Sequence, residues 1–175
     1  VYHRITKQYE RQLARAQRRL AKCEKGSSNR KKAKLAVAKI HAKIADVRSD
    51  FSHKLTTKLV RENDLIAIEN LQVKNMIKNH KLAKAISDVA WGELVRQFEY
   101  KGKAYGREIV QIDKFFPSSK RCSECGYISK SMPLNIRKWV CPECKTEHDR
   151  DINAAKNILK AGLAILVGCD QVRQP

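Results

Sequence analysis

Four cysteines in two Cys-x-x-Cys pairs, Cys122/Cys125 and Cys141/Cys144, stand fifteen residues apart. That spacing suits one tetrahedral zinc ion, each pair gripping from a tight turn, with Gly126 giving backbone freedom after the first. Four thiolates would leave no open position for a reacting water, so such a zinc is structural. Two disulfides, or four unrelated thiols, are the other readings of the pattern. Just beyond lies His148-Asp149-Arg150-Asp151, an acidic cluster that opens a helical pattern, where the helix dipole stabilises an ionised Asp151 in the first turn. Far upstream, the apolar run Leu65-Ile66-Ala67-Ile68 reads as a strand buried on both faces and ends abruptly in Glu69. A carboxylate there is either a ligand group at the C-terminal end of a sheet strand or a simple surface cap. Carboxylates from distant segments, once gathered, can hold Mg²⁺ ions that activate water for phosphodiester cleavage.

The elements that must position these groups follow from the periodicity. A second strand, Glu108 to Ile112, precedes Asp113, and a helix read over Lys81 to Tyr100 separates the two strands. Strand, helix, strand implies a parallel pair, with Glu69 and Asp113 at one edge. The helix turns Leu82, Ile86, Val89, Ala90, Leu94 and Phe98 inward, Trp91 is read as core or as a base-stacking residue, and Gly102 and Gly106 mark the turn that follows. Arg137 to Val140 reads as a short strand into the second cysteine pair, and an apolar helix runs from Asp151 to about Val167. At the other end of the chain, Leu13, Ala16 and Leu20 make one helical stripe. Val37, Ile40, Ile44, Val47, Phe51, Leu55 and Leu59 make a second, after the turn-forming Lys25 to Asn29. The expectation is an antiparallel hairpin of two helices.

Charge indicates the partner. The net charge is +19, and residues 1–61 carry eighteen Lys/Arg against Glu10, Glu24, Asp46 and Asp50. A one-signed arm of this kind points to DNA or RNA rather than a membrane. Its exposed cations Arg11, Arg15, Arg18, Arg19, Lys22, Arg30, Lys31, Lys32 and Lys34, with Lys120 near the first cysteine pair, are the candidate phosphate contacts. No run of eighteen apolar residues occurs, and the chain opens on Val1 without a signal-peptide pattern. Cys23 and Cys169 read as free thiols, so the expected compartment is the reducing cytoplasm. A truncated start is also expected.

Several motifs together resemble the C-terminal part of the OrfB/TnpB transposases, the transposon-encoded nucleases related to type V CRISPR effectors. They are Ile66 to Leu71 with Val73 to Met76, Phe115-Phe116-Pro117-Ser118-Ser119-Lys120, the four cysteines, and His148 to Ala155. The resemblance implies an α/β fold: a partial RuvC-like (RNase H-like) domain with a long basic helical hairpin and an inserted zinc ribbon. The division expected is hairpin 1–62, RuvC-like strands and helix 63–117, ribbon 118–148, and C-terminal helix and tail 149–175. By the same resemblance Glu69 is the second catalytic carboxylate and Asp151 the third, with Asp149 in support and Asp113 a weaker candidate. Mg²⁺ would be the catalytic ion, a guide RNA the partner of the hairpin, and DNA the substrate. The family's first catalytic Asp lies on a strand ahead of the hairpin, whereas Glu10, Glu24, Asp46, Asp50, Glu62 and Asp64 sit in or beside helical segments. The chain is therefore expected to bind nucleic acid and zinc but to cut poorly, as a fragment or decayed copy, with an unpaired sheet edge. The rival readings are a non-enzymatic nucleic-acid-binding regulator and a basic zinc-ribbon protein of the ribosome or transcription machinery.

Overall fold

The computed structural model describes residues 2–79, 83, 87, 90–133 and 135–168, the first five of these by backbone alone. Contacts divide the chain into two units, residues 1–58 and 59–175.

In the first unit, helix α1 (Tyr2–Ala21) is followed by the long helix α2 (Ser28–Glu62), which runs on into the second unit. Leu13, Ala16 and Leu20 are half-buried, as their spacing predicts, and Ala33 and Ile44 of α2 are buried. The turn is built by Ser27, whose Oγ donates to the Glu24 carbonyl at 2.8 Å and accepts from the Arg30 backbone N–H at 3.2 Å. The expected inward placing of Phe51 fails, for its side chain is 43% exposed.

The second unit is built on strand β1 (Leu65–Glu69) in parallel pairing with β2 (Glu108–Ile112), Glu69 lying opposite Ile112. Between them come a one-turn helix α3 (Val73–Met76) and helix α4 (Trp91–Tyr105). Lys81, Leu82, Ile86 and Val89 of the expected helix, and Cys169, lie outside the described residues. Ala90 is left-handed, with φ 48°, and α4 begins after it; Trp91 is half-buried and Phe98 buried. The helix also continues past the predicted turn at Gly102, which is buried within it, and is capped only at Gly106, where the N–H of Arg107 returns to the Gly102 carbonyl at 2.8 Å. Strands β3 (Lys138–Val140) and β4 (Glu147–Asp149) pair antiparallel, and helix α5 (Arg150–Leu166) closes the chain.

Helix α5 packs on both β1 and β2. Its Gly162 lies so near the sheet that a Cβ there would stand 2.6 Å from the Cβ of Ala67. The core of the unit gathers Val60, Ile68, Phe98, Val110, Ile112 and Ala161. Strand β1 is less enclosed than its apolar run suggests: Ile68 is buried, while Leu65, Ile66 and Ala67 are half-buried. The reason is that among the described residues the sheet has two strands, so β1 has a neighbour on one edge only. No described helix is long and apolar enough to cross a membrane.

Candidate functional site

Two tight turns bring the four cysteines together. In the first, Gly126, with φ 83°, donates its N–H to the Cys122 carbonyl at 3.0 Å, and the Cys122 N–H reaches the Tyr127 carbonyl at 2.7 Å. In the second, the N–H of Lys145 donates to the Cys141 carbonyl at 3.0 Å and that of Cys141 to Thr146 at 2.9 Å. The four sulfurs all lie within 4.8 Å of one another, Cys122 to Cys144 and Cys125 to Cys141 both at 3.6 Å. A disulfide needs about 2 Å, so these are thiols. Tetrahedral ligands held at a zinc–sulfur distance of about 2.3 Å stand about 3.8 Å apart, so the four fit a metal ion of this kind. The protonation of the cluster points the same way. Thr146, through its hydroxyl at 3.3 Å and its backbone N–H, holds the Cys144 thiol down to about 6. At Cys125 the Tyr127 backbone favours the thiolate, but desolvation and the protons shared with Cys144, Cys141 and Cys122 outweigh it and push the thiol up to about 12. Of the two, Cys144 is the readier to lose its proton and Cys125 the more reluctant.

The ribbon is clipped to α5 by two asparagines. Asn153 accepts the Ser123 N–H at 2.9 Å and donates to the Arg121 carbonyl at 2.7 Å. One turn later, Asn157 donates to the carbonyls of Ser118 at 2.8 Å and Arg121 at 2.6 Å. Both are buried, and the Lys160 ammonium adds a bond to the Ser123 carbonyl. Sequence reading had given these asparagines no role, although amides four residues apart on an otherwise apolar helical face were a usable signal. Asn157→Leu takes the donor from the Ser118 carbonyl, while Arg121 keeps Asn153, and should cost about 1–3 kcal/mol, read as a lowered midpoint in urea unfolding.

The carboxylates are distributed less tightly. Glu69 is half-buried at the C-terminal end of β1, and its Oε1 accepts from the hydroxyl of the buried Ser118, the residue that Asn157 also holds. Asp113 lies at the same sheet edge, one residue past Ile112, and its Oδ1 accepts the Phe115 N–H at 2.7 Å. Asp149 ends β4 and caps α5, accepting the N–H groups of Asp151 at 3.0 Å and Ile152 at 3.1 Å, so the helix opens at Arg150, one residue before the expected Asp151. Asp151 is exposed and pairs with Arg137 at 3.3 Å. No hydrogen bond joins Glu69 to Asp151 among the described residues; what they share is helix α5, which carries one and packs on the strand of the other.

In the hairpin unit, Arg15, Arg19 and Lys32 line a groove of about 310 Å³ floored by Ala16, Ala33 and Ala36. Arg11, Arg18, Lys22, Lys31 and Lys34 are exposed, as is Lys120 in the second unit. Arg30 is different: its guanidinium donates to the carbonyls of Leu20 at 3.3 Å and Cys23 at 2.9 Å, closing the end of α1.

A parallel strand pair, a helix packed across it and a ribbon inserted between them form the partial RuvC-like architecture. A cryo-EM structure of a Cas12f1–sgRNA–target DNA complex shares this fold, with a TM-score of 0.61 and 19% identity, covering 86% of this chain and 40% of the other. The sequence model described as Probable transposase matches residues 2–80, and that of the Cas12f1-like TNB domain matches residues 91–158. The chain belongs to the OrfB/TnpB transposase family. A protein of Streptomyces pristinaespiralis assigned as an RNA-guided DNA endonuclease is 56% identical over 161 residues, 92% of this chain and 40% of that protein. InsQ of Escherichia coli K12, with the same assignment, is 33% identical over 180 residues, 94% of this chain and 44% of its own length. The chain thus spans about two fifths of the length of these relatives.

Proposed function

We propose that this chain is the part of an RNA-guided DNA endonuclease that holds nucleic acid and supplies two of its catalytic carboxylates, Glu69 and Asp151. The observation that carries the reading is Glu69 itself, a carboxylate at the C-terminal end of a parallel strand, oriented by Ser118 immediately ahead of the ribbon. Ligands of open α/β sheets gather at that end. Mg²⁺ is bound through one or two carboxylates together with phosphate oxygens, a donor set that Glu69 and the exposed Asp151 can contribute to. When bound, the ion supplies charge neutralisation and an activated water. Glu69 is the fixed partner, because Ser118 is itself buried and held; Asp151 is exposed and paired through one oxygen with Arg137. Zinc is the ion proposed for the four thiols, and a reducing cytoplasm suits them.

The hairpin groove takes phosphates of guide RNA or of its duplex with DNA. Binding should fall steeply with salt, and replacing Arg15, Arg19 and Lys32 together by Ala should lower the slope of log K against log salt by roughly 2 to 3. An unchanged slope removes the groove from the interface.

A second reading has an observation of its own. Asp149 caps a helix and Asp151 is paired with Arg137, so both have work without any catalytic metal. In that reading the chain is a non-enzymatic binder of DNA or RNA, and Asp149 and Asp113 are structural. Mg²⁺-dependent cleavage of DNA by the purified chain, with and without co-purified RNA, that is lost in Glu69→Ala supports the first reading; tight binding with no cleavage that depends on Glu69 supports the second.

A further inference from the structure

We infer that His148 is a positioning residue of the metal centre, donating its Nε2–H to the Cys122 thiolate from outside the coordination sphere. The ring nitrogen stands 3.1 Å from Cys122 Sγ, and His148 is not one of the four clustered ligands. A thiolate offers only lone pairs, so the proton of a neutral imidazole must sit on Nε2. The ring is held for the purpose. It is 5% exposed, and the Trp139 ring lies 4.9 Å away at 36° on the paired strand, where Trp139 is in register with His148.

The other sulfurs show why this donor matters. Cys125 receives a backbone hydrogen bond from Tyr127, two residues along, and Cys144 is bonded to both the backbone N–H and the hydroxyl of Thr146, also two along. Those donors come with the turn and keep each turn as it is. His148 is 26 residues from Cys122 and belongs to β4, so its bond ties the first turn to the strand pair that carries the second. One residue later Asp149 caps α5, and the Asn153 clip returns to Ser123 beside Cys122. A closed circuit results, from Cys122 through β4 and α5 back to the first turn. Four thiolates around a divalent ion also carry excess negative charge, which a buried N–H donor disperses.

The inference rests on the zinc reading above, and its test separates the two. Zinc affinity is measured on the purified chain by competition with a chromophoric chelator, for the unaltered protein, His148→Phe and His148→Gln. The Co²⁺ spectrum of each is recorded alongside. Phenylalanine keeps the bulk against Trp139 and removes the donor; glutamine restores an N–H. The expected result is a loss of about 10- to 100-fold in zinc affinity for His148→Phe, recovered to within a few-fold by His148→Gln. The Co²⁺ d–d bands should stay in the four-sulfur range in all three. Equal affinity in His148→Phe overturns the inference, as does a His148→Gln variant no better than His148→Phe, which would make the role one of packing. A changed d–d pattern in His148→Phe also overturns it, by making His148 a ligand. An unaltered chain that takes up no zinc overturns this and the zinc reading together.

Discussion

The Cys141→Ser variant is expected to lose the zinc proposed for the four thiols and, with it, the fold of the ribbon, while β1, β2 and α5 stay assembled. The ribbon has almost no apolar core of its own. Among the described residues of that stretch the buried ones are Ser118, Cys122, Ser123, Cys141 and His148, so its interior consists of metal ligands and the groups that hold them. Coordination of the proposed zinc would then supply the cohesion that leucine and valine supply elsewhere. For small zinc domains it contributes about 10–16 kcal/mol, far more than so short a segment could otherwise gather. The sheet side differs, since Ile68, Phe98, Val110, Ile112 and Ala161 form a core without the metal. Metal content should drop from one equivalent to near zero, and amide exchange should speed up across Cys122–Ile128 and β3–β4 but not in β1 and β2. Retention of a full equivalent of zinc, or of amide protection after the metal has gone, would contradict this account.

Glu69→Gln should leave nucleic-acid binding unchanged and lower Mg²⁺-dependent DNA cleavage a thousandfold or more, about 4 kcal/mol of barrier. Glutamine keeps an oxygen for the Ser118 hydroxyl, so β1 and the approach to the ribbon are undisturbed; only the negative charge goes. A carboxylate that merely capped the strand would be replaced without effect. Cleavage at the unaltered rate would remove Glu69 from the catalytic site. The converse change, Asp149→Asn, is expected to be mild, because an asparagine caps a helix nearly as well as an aspartate.

What could be read in the sequence was whatever is local or set by order. The cysteine spacing is a property of two short turns, and the parallel pairing of β1 with β2 follows from strand, helix, strand. Glu69 at the strand end was visible because a buried strand is a run of apolar residues and a charge ends it. The misses involve partners distant in sequence. Phe51 fits its stripe and is nonetheless 43% exposed, which periodicity alone does not show. Arg30 looks like any other cation of the arm until the carbonyls of Leu20 and Cys23 are brought to it. Gly102 reads as a turn on residue type alone, yet it lies inside α4, packed against Ile109. Asp149 and Asp151 are two residues apart and equally acidic, and only the start of α5 separates a cap from an exposed carboxylate.

The near-contact of Gly162 with Ala67 makes these two positions answerable to each other through descent. A methyl group gained at 162 has nowhere to go while 67 keeps its own, since the two would meet at 2.6 Å. Among descendants of this sequence, a larger residue at 162 should therefore appear only in lineages where 67 has first become glycine. Most lineages should keep both small. The pair would then leave a correlated trace in the family tree.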